Sequence, residues 1–172
     1  SKSAVTINQV CGSGLRAIAM GMQSLQYNQS EIVIAGGQES MSNAHHTIKI
    51  RSATKMGDGK LKDSMIVDGL WCAMNGYHMG TTAENVAEKY NISKDDQDKF
   101  ATESQNKAEN AQKLNRFSDE IVPISIQEKK EEVIISADEF PRHGSTFEKI
   151  STLKPVFSKD GTVSAGNASG LN

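Results

Sequence analysis

The first thirty-five residues constrain the fold more than any other part of this chain. Val5 to Val10 is a short apolar run, and Glu31 to Ala35 is a second one. Between them Leu15, Ile18, Ala19, Met22 and Leu25 recur at three- and four-residue spacing, which is one face of a helix. Ala17 and Met20 widen that stripe, so the helix is expected to be buried on most sides; Asn28 and Ser30 end it. Continuous apolar strands of this kind belong to parallel sheets covered on both faces. Strand, helix, strand over this span is therefore a βαβ unit, and the fold class expected is α/β.

Cys11 stands where the first strand gives way to the helix, in Ile7-Asn8-Gln9-Val10-Cys11-Gly12-Ser13-Gly14. A thiol in the first turn of a helix faces unpaired backbone N–H groups, which favour the reactive thiolate. Open α/β sheets place their chemistry at that end of the strands. The neighbouring glycines, Gly12 and Gly14, would let a substrate carbonyl approach the backbone closely. Cys11 is read as a catalytic nucleophile, although a free cysteine is more often a small buried hydrophobe. The second cysteine, Cys72, keeps that ordinary reading.

Beyond Gly36-Gly37 the texture changes. Residues 41 to 80 carry the turn signals Gly57-Asp58-Gly59, Asp68-Gly69 and Asn75-Gly76 with little helical period, a loop-rich excursion. Thr82 to Tyr90 reads as a short helix, and Ser93-Lys94-Asp95-Asp96 caps a long one. Phe100, Ala101, Ser104, Ala108, Ala111 and Leu114 form a narrow stripe expected to pack closely. Ile121 to Ile126 and Val133 to Ser136 read as strands around the charged turn Glu128-Lys129-Lys130-Glu131, with Pro123 restricting the first to an edge or bulge. Thr162 and Val163 begin another strand. Nothing after Asn172 covers it, and one βαβ unit leaves both sheet edges open, so the chain is expected to be a segment of a larger fold.

Composition narrows the function classes. A formal net charge of −2 argues against global steering toward nucleic acid or a membrane surface. The apolar runs are far too short to span a bilayer, and the first ten residues lack a secretory layout. Two cysteines do not make a disulfide framework, so a reducing, cytoplasmic setting is expected, with the mitochondrial matrix as the alternative. His45 and His46 are adjacent and lack a carboxylate partner, so no metal site is expected there. Lys49, Arg51, Lys55, Lys60 and Lys62 form a local cationic stretch opposed only by Asp58. It is a solvated surface or a site for an anionic ligand or neighbouring subunit.

Seven stretches, taken in order, closely resemble the thiolase family. They are Asn8 to Leu15, Ala35 to Ser42, Asp68 to Trp71, Gly76 to Ala87, Asp119 to Pro123, Arg142-His143-Gly144 and Ala165 to Gly170. The resemblance implies a layered α/β/α/β/α fold, of which residues 1 to 40 would be part of the N-terminal core and residues 41 to 171 the loop domain. It implies a biosynthetic-type acetyl-CoA C-acetyltransferase, condensing two acetyl-CoA to acetoacetyl-CoA and CoA, or the reverse. Cys11 would carry the acetyl group as a thioester. Leu70, His78 and Met79 would line the tunnel near the reacting carbons, the His78-Met79 pair pointing to short acyl chains. Arg142 would lie against the nucleotide end of coenzyme A, Phe157 near its adenine, and Ala165 and Ser169 along its pantetheine arm. Lys149 departs from the small hydroxyl residue of close relatives.

The resemblance further implies a homotetramer built of dimers, with a tetramerisation hairpin at about residues 45 to 62. Coenzyme A thioesters are the expected substrates, with no permanently bound cofactor and no nucleic-acid or membrane partner. The family's activating histidine and second cysteine fall outside this sequence, so the chain alone is expected to be inactive. Two other readings stay open: a non-catalytic CoA-binding or subunit-interaction remnant, and a degradative 3-ketoacyl-CoA thiolase.

Overall fold

The computed structural model describes residues 3–50, 56–128 and 131–171. The chain divides into two compact units, residues 1–79 with 171–172, and residues 80–170. Arg51, Lys55, Lys129 and Lys130, named above in the cationic stretch and the charged turn, lie outside the described residues.

The first unit opens with helix α1, Ser13–Gln26. The extended segment after it lies along the helix at Gly21, where an added Cβ would sit 3.0 Å from Val33 Cγ1. A short 3-10 turn, Met41–Asn43, leads to a two-residue antiparallel pairing of β1, His46–Thr47, with β2, Lys62–Asp63. A π-helical turn, Met65–Leu70, then runs into a tight hairpin. In it β3, Trp71–Cys72, pairs with β4, Tyr77–His78, across a turn that places Gly76 at φ 73°.

The second unit is built on α2, Met79–Tyr90, and α3, Lys94–Lys113. The sequence places the start of α2 at Thr82, three residues late. The capping pattern of α3 is present: Ser93 Oγ accepts from the Asp96 amide at 3.1 Å. Hairpin β5–β6, Ile124–Glu128 with Glu131–Ile135, follows, and then the short helix α4, Phe147–Ser151. The three longer helices end alike. Asn28, Asn91 and Asn115 take the left-handed conformation at φ 55°, 52° and 51°. In each case the next amide reaches back five residues, Gln29 to Ser24, Ile92 to Ala87 and Arg116 to Ala111. Asparagine tolerates this conformation, and the bond satisfies a helix-end carbonyl.

The centre of the second unit is polar. Among the described residues the buried apolar side chains are Ala87, Ile150 and Val163, whereas Asp98 and Ser164 are each 0% exposed. The face that α3 turns inward carries Gln97, Asp98, Ala101, Thr102, Gln105, Ala108, Glu109 and Gln112. This corrects the expected stripe: Ala101, Ala108 and Ala111 lie on the inward side, but Phe100 is 76% exposed, and Ser104 and Leu114 are exposed as well. Helical spacing located the face, and apolar character misplaced it, because hydrogen bonding does the packing here.

Three further expectations are corrected. Val5 to Val10 and Glu31 to Ala35 are not paired strands, and Val5 and Ile34 are exposed, Ile34 at 97%. Helix α1 is not buried on most sides: Leu15 is 76% exposed and only Gly21 is buried. A strand exists through its neighbour, and among the described residues none runs beside either segment. Thr162 and Val163 likewise form no strand, since Ser164 makes only an isolated bridge to Pro155.

Carboxylates give the second unit a pH signature. Partial burial pushes the Glu84 carboxyl up, but the amides of Thr162 and Val163 and the Thr162 hydroxyl outweigh it and hold it low. Glu109 is held low by Lys113 and the Gly144 amide, and Glu148 by its own amide and Thr146. A carboxyl lowered on folding adds stability that is complete above its unfolded value, near 4.5, and is lost as pH falls through the folded value. The urea midpoint is therefore expected to be flat from pH 7 to about 5 and to drop steadily below that.

Candidate functional site

Cys11 is presented by a tied turn. Val10 adopts φ 50°, a left-handed conformation that a β-branched residue takes only under constraint. Such a residue costs about 1–3 kcal/mol, so the surroundings must over-determine it. They do. The Val10 amide donates to Asn8 Oδ1 at 2.9 Å, and the Gln9 amide to Ser13 Oγ at 2.8 Å. Ser13 Oγ returns a bond to the Val10 carbonyl at 2.7 Å. The Gly12 and Ser13 amides close the turn onto the Gln9 and Val10 carbonyls at 3.0 and 3.1 Å.

The thiol of Cys11 is exposed at this corner. Gly12 is the N-cap of α1, so Cys11 precedes the first turn rather than occupying it, a correction of one to two positions. The sequence reading singled out Cys11 from its setting and missed the Asn8 and Ser13 ties, which involve ordinary polar side chains. Cys72 differs. The Asn75 amide and side chain lower its thiol, with Asn75 Nδ2 at 3.2 Å from Sγ, against a partial desolvation.

The β3–β4 hairpin gathers three of the expected tunnel residues. His78 pairs with Trp71, and Leu70 and Met79 flank that pair in sequence. Leu70 and His78 are half-buried, and Met79 is more exposed.

In the second unit Arg142 and His143 sit on a loop fastened to the polar face of α3. The Arg142 amide donates to Gln105 Oε1 at 2.8 Å, and the Gly144 amide to Glu109 Oε2 at 2.7 Å. His143 Nε2 meets Gln112 Oε1 at 2.6 Å, and Gln112 Nε2 reaches the Asp138 carbonyl at 3.1 Å. Lys149 Nζ donates to the Gly144 carbonyl at 3.1 Å, so the departing lysine braces the same loop.

Ala165 and Ser169 are exposed on the closing turn. The residues that build this turn carry no role in the sequence reading. Glu84 accepts the Thr162 and Val163 amides and the Thr162 hydroxyl. Asn167 Oδ1 accepts the Ser164 amide at 2.8 Å, and its Nδ2 donates to Asp98 Oδ1 at 2.8 Å and the Thr162 carbonyl at 3.0 Å. Both Glu84 and Asn167 fall inside the resembling stretches, and their polarity amid small residues was the available signal.

Phe157, half-buried, lies over Gly80 of α2, where an added Cβ would overlap its ring. Gly→Ala within a helix ordinarily gains up to ~1 kcal/mol. Here overpacking is expected to reverse the sign, Gly80→Ala costing about 1–3 kcal/mol. A thermal melt no lower than wild type would show that the ring moves aside freely.

Among the described residues no group of three His, Cys, Asp or Glu side chains is placed to hold a metal ion. No described helix is long and apolar enough to cross a membrane.

An exposed cysteine on a tied turn before α1, followed by a long, loop-rich stretch, is the arrangement this chain presents, and comparison with known proteins specifies its class. The chain belongs to the thiolase N-terminal domain family, whose model matches residues 1–172. It is 58% identical over 170 residues to an acetyl-CoA acetyltransferase of Paracoccus denitrificans, covering 99% of this chain and 44% of that protein. The crystal structure of a Bacillus anthracis acetyl-CoA acetyltransferase superposes with a TM-score of 0.91 at 42% identity, covering 96% of this chain and 42% of the other. Human mitochondrial 3-ketoacyl-CoA thiolase matches with a TM-score of 0.88 at 43% identity, again covering 96% of this chain and 42% of the other. The fold is thus the α/β thiolase fold, and the chain spans less than half the length of these relatives.

Proposed function

We propose that this chain supplies the nucleophile and part of the coenzyme A surface of an acetyl-CoA C-acetyltransferase. The observation that carries the reading is the over-determined turn at Val10, which holds an exposed thiol at the mouth of a helix. Strain retained and tied down by five hydrogen bonds serves positioning rather than stability. The relatives named acetyl-CoA acetyltransferase support the substrate class.

In this reading Cys11 Sγ attacks the thioester carbonyl of acetyl-CoA. CoA leaves as its thiol, having taken a proton, and the acetyl group remains on Cys11 as a thioester. The α-carbon of a second acetyl-CoA, after losing a proton to a base, attacks that carbonyl and gives acetoacetyl-CoA, and the Cys11 sulfur is released and reprotonated. The Cys11 amide contributes to the oxyanion hole, a donor worth ~3 kcal/mol in acyl transfer. Leu70, His78 and Met79 border the acyl group. Arg142 and Phe157 face the nucleotide, and Ala165 and Ser169 the pantetheine arm. Residues 1 to 40 act as part of the catalytic core and residues 41 to 171 as the loop domain.

Assembly as a dimer of dimers would use the hairpin at 45 to 62. There Thr47, Ile48, Lys49, Lys60 and Lys62 help line a cleft of about 310 Å³. The cytoplasm is the proposed location. A degradative role is favoured by one observation, the likeness to the human 3-ketoacyl-CoA thiolase. Turnover of long-chain 3-ketoacyl-CoA in preference to acetoacetyl-CoA would establish it.

The direct test mixes acetyl-CoA with the protein in its longest expressed form and maps protein-bound acetyl by peptide mass spectrometry. A hydroxylamine-labile acetyl on the Cys11 peptide is expected. Acetyl confined to other residues, or none, would overturn the reading.

A further inference from the structure

The structure assigns a second layer to this site: we propose that Asp98, acting through Asn167, is a positioning residue for the turn that receives the pantetheine arm. The inference rests on the coenzyme A reading above and names the device that fixes one of its contacts.

Asp98 is wholly buried in the polar centre of the second unit. Burying a carboxylate costs several kcal/mol, and an apolar replacement of like volume is often no less stable, so such a charge is weak evidence for a stabilising role. Its two oxygens point to different tasks. Oδ2 meets Lys94 Nζ at 2.5 Å, and Lys94 also donates to the Ser151 carbonyl at the end of α4, at 3.1 Å. Oδ1 accepts Asn167 Nδ2 at 2.8 Å.

Asn167 then has no freedom left. Its second N–H binds the Thr162 carbonyl and its Oδ1 binds the Ser164 amide, so both amide hydrogens and the oxygen are engaged. The Ser164 carbonyl in turn accepts the Asn167 and Ala168 amides at 3.2 and 3.0 Å, and the Gly166 amide reaches Ser164 Oγ at 3.3 Å. The plane of one side-chain amide thereby sets the backbone from Thr162 to Ala168, and Asp98 sets that plane. Ala165 is exposed on this frame, and Ser169, also exposed, follows directly after the frame. Their spacing depends on a buried charge that touches no ligand.

The test measures equilibrium binding of two probes to the full chain: coenzyme A, and 3′-phosphoadenosine 5′-diphosphate, which lacks the pantetheine arm. Asn167→Asp sets an oxygen against Asp98 Oδ1 and the Thr162 carbonyl, and Asp98→Asn must turn an N–H donor toward either Asn167 Nδ2 or Lys94 Nζ. Each is expected to raise the Kd for coenzyme A by about tenfold. The double variant restores the pairing between positions 98 and 167 but leaves an oxygen facing the Thr162 carbonyl, so its Kd is expected to fall between those of the single variants and wild type. Binding of the arm-less nucleotide should stay unchanged throughout. Should Asp98→Asn fail to fold, Asn167→Ser, at a half-buried position, carries the same comparison.

A general structural defect would weaken both probes alike and overturn the inference. Folded single variants that bind coenzyme A as wild type does would overturn it while leaving the coenzyme A reading intact. Wild-type protein that binds neither probe would remove the reading and the inference together.

Discussion

In the longest expressed form of the protein, and on the proposed reading, Cys11→Ala is expected to reduce acetyl transfer by at least about three orders of magnitude, the scale on which removing a covalent nucleophile acts. Cys11→Ser should do nearly as much harm, because a hydroxyl at the same place ionises far less readily than a thiol. Cys11 is exposed and its side chain holds no part of the turn, whose bonds run through Asn8, Gln9, Val10, Gly12 and Ser13. Melting temperature and coenzyme A affinity should therefore match wild type in both variants. Residual transfer within tenfold of wild type would show that the acetyl group travels by another route.

The second large effect is on stability. Glu84→Ala is expected to cost about 3–5 kcal/mol, since the Thr162 and Val163 amides and the Thr162 hydroxyl all lose a charged acceptor at once. Val163 is among the few buried apolar residues, so water reaches its amide poorly. Glu84→Gln keeps one acceptor oxygen and brings an unwanted donor toward Thr162; about 1–3 kcal/mol is expected. Urea unfolding with an unchanged slope and a lowered midpoint is the measurement. The Ala variant should also lose part of the acid-induced decline described above, because the protonation of Glu84 no longer matters. Equal midpoints for wild type and Glu84→Ala would mean that the segment is held from elsewhere.

What could be read from the sequence followed from how local each signal is. Helices α1, α2 and α3 were visible because periodicity and caps are written within a few residues, Ser93-Lys94-Asp95-Asp96 most plainly. The β5–β6 hairpin was visible because a charged turn separates two β-branched runs. The runs at Val5 to Val10 and Glu31 to Ala35 report a preference for burial, whereas pairing depends on a neighbour that no local pattern supplies. The polar centre escaped because Asp98, with its charge, reads as surface, and its burial depends on Asn167, sixty-nine residues away. The strained Val10 beside Cys11 was not legible, since nothing in a valine announces a left-handed backbone.

The ladder of Gln105, Glu109 and Gln112 on α3 grips the Arg142 loop through amide dipoles and one carboxylate-to-amide bond, not through an ion pair. Dissolved electrolyte screens free charges over about 10 Å at 0.1 M but acts weakly on short dipolar contacts. The loop should keep its shape in concentrated brine, whereas the coenzyme A contact proposed for its guanidinium should weaken there, so salt would separate the fold of the loop from its proposed binding.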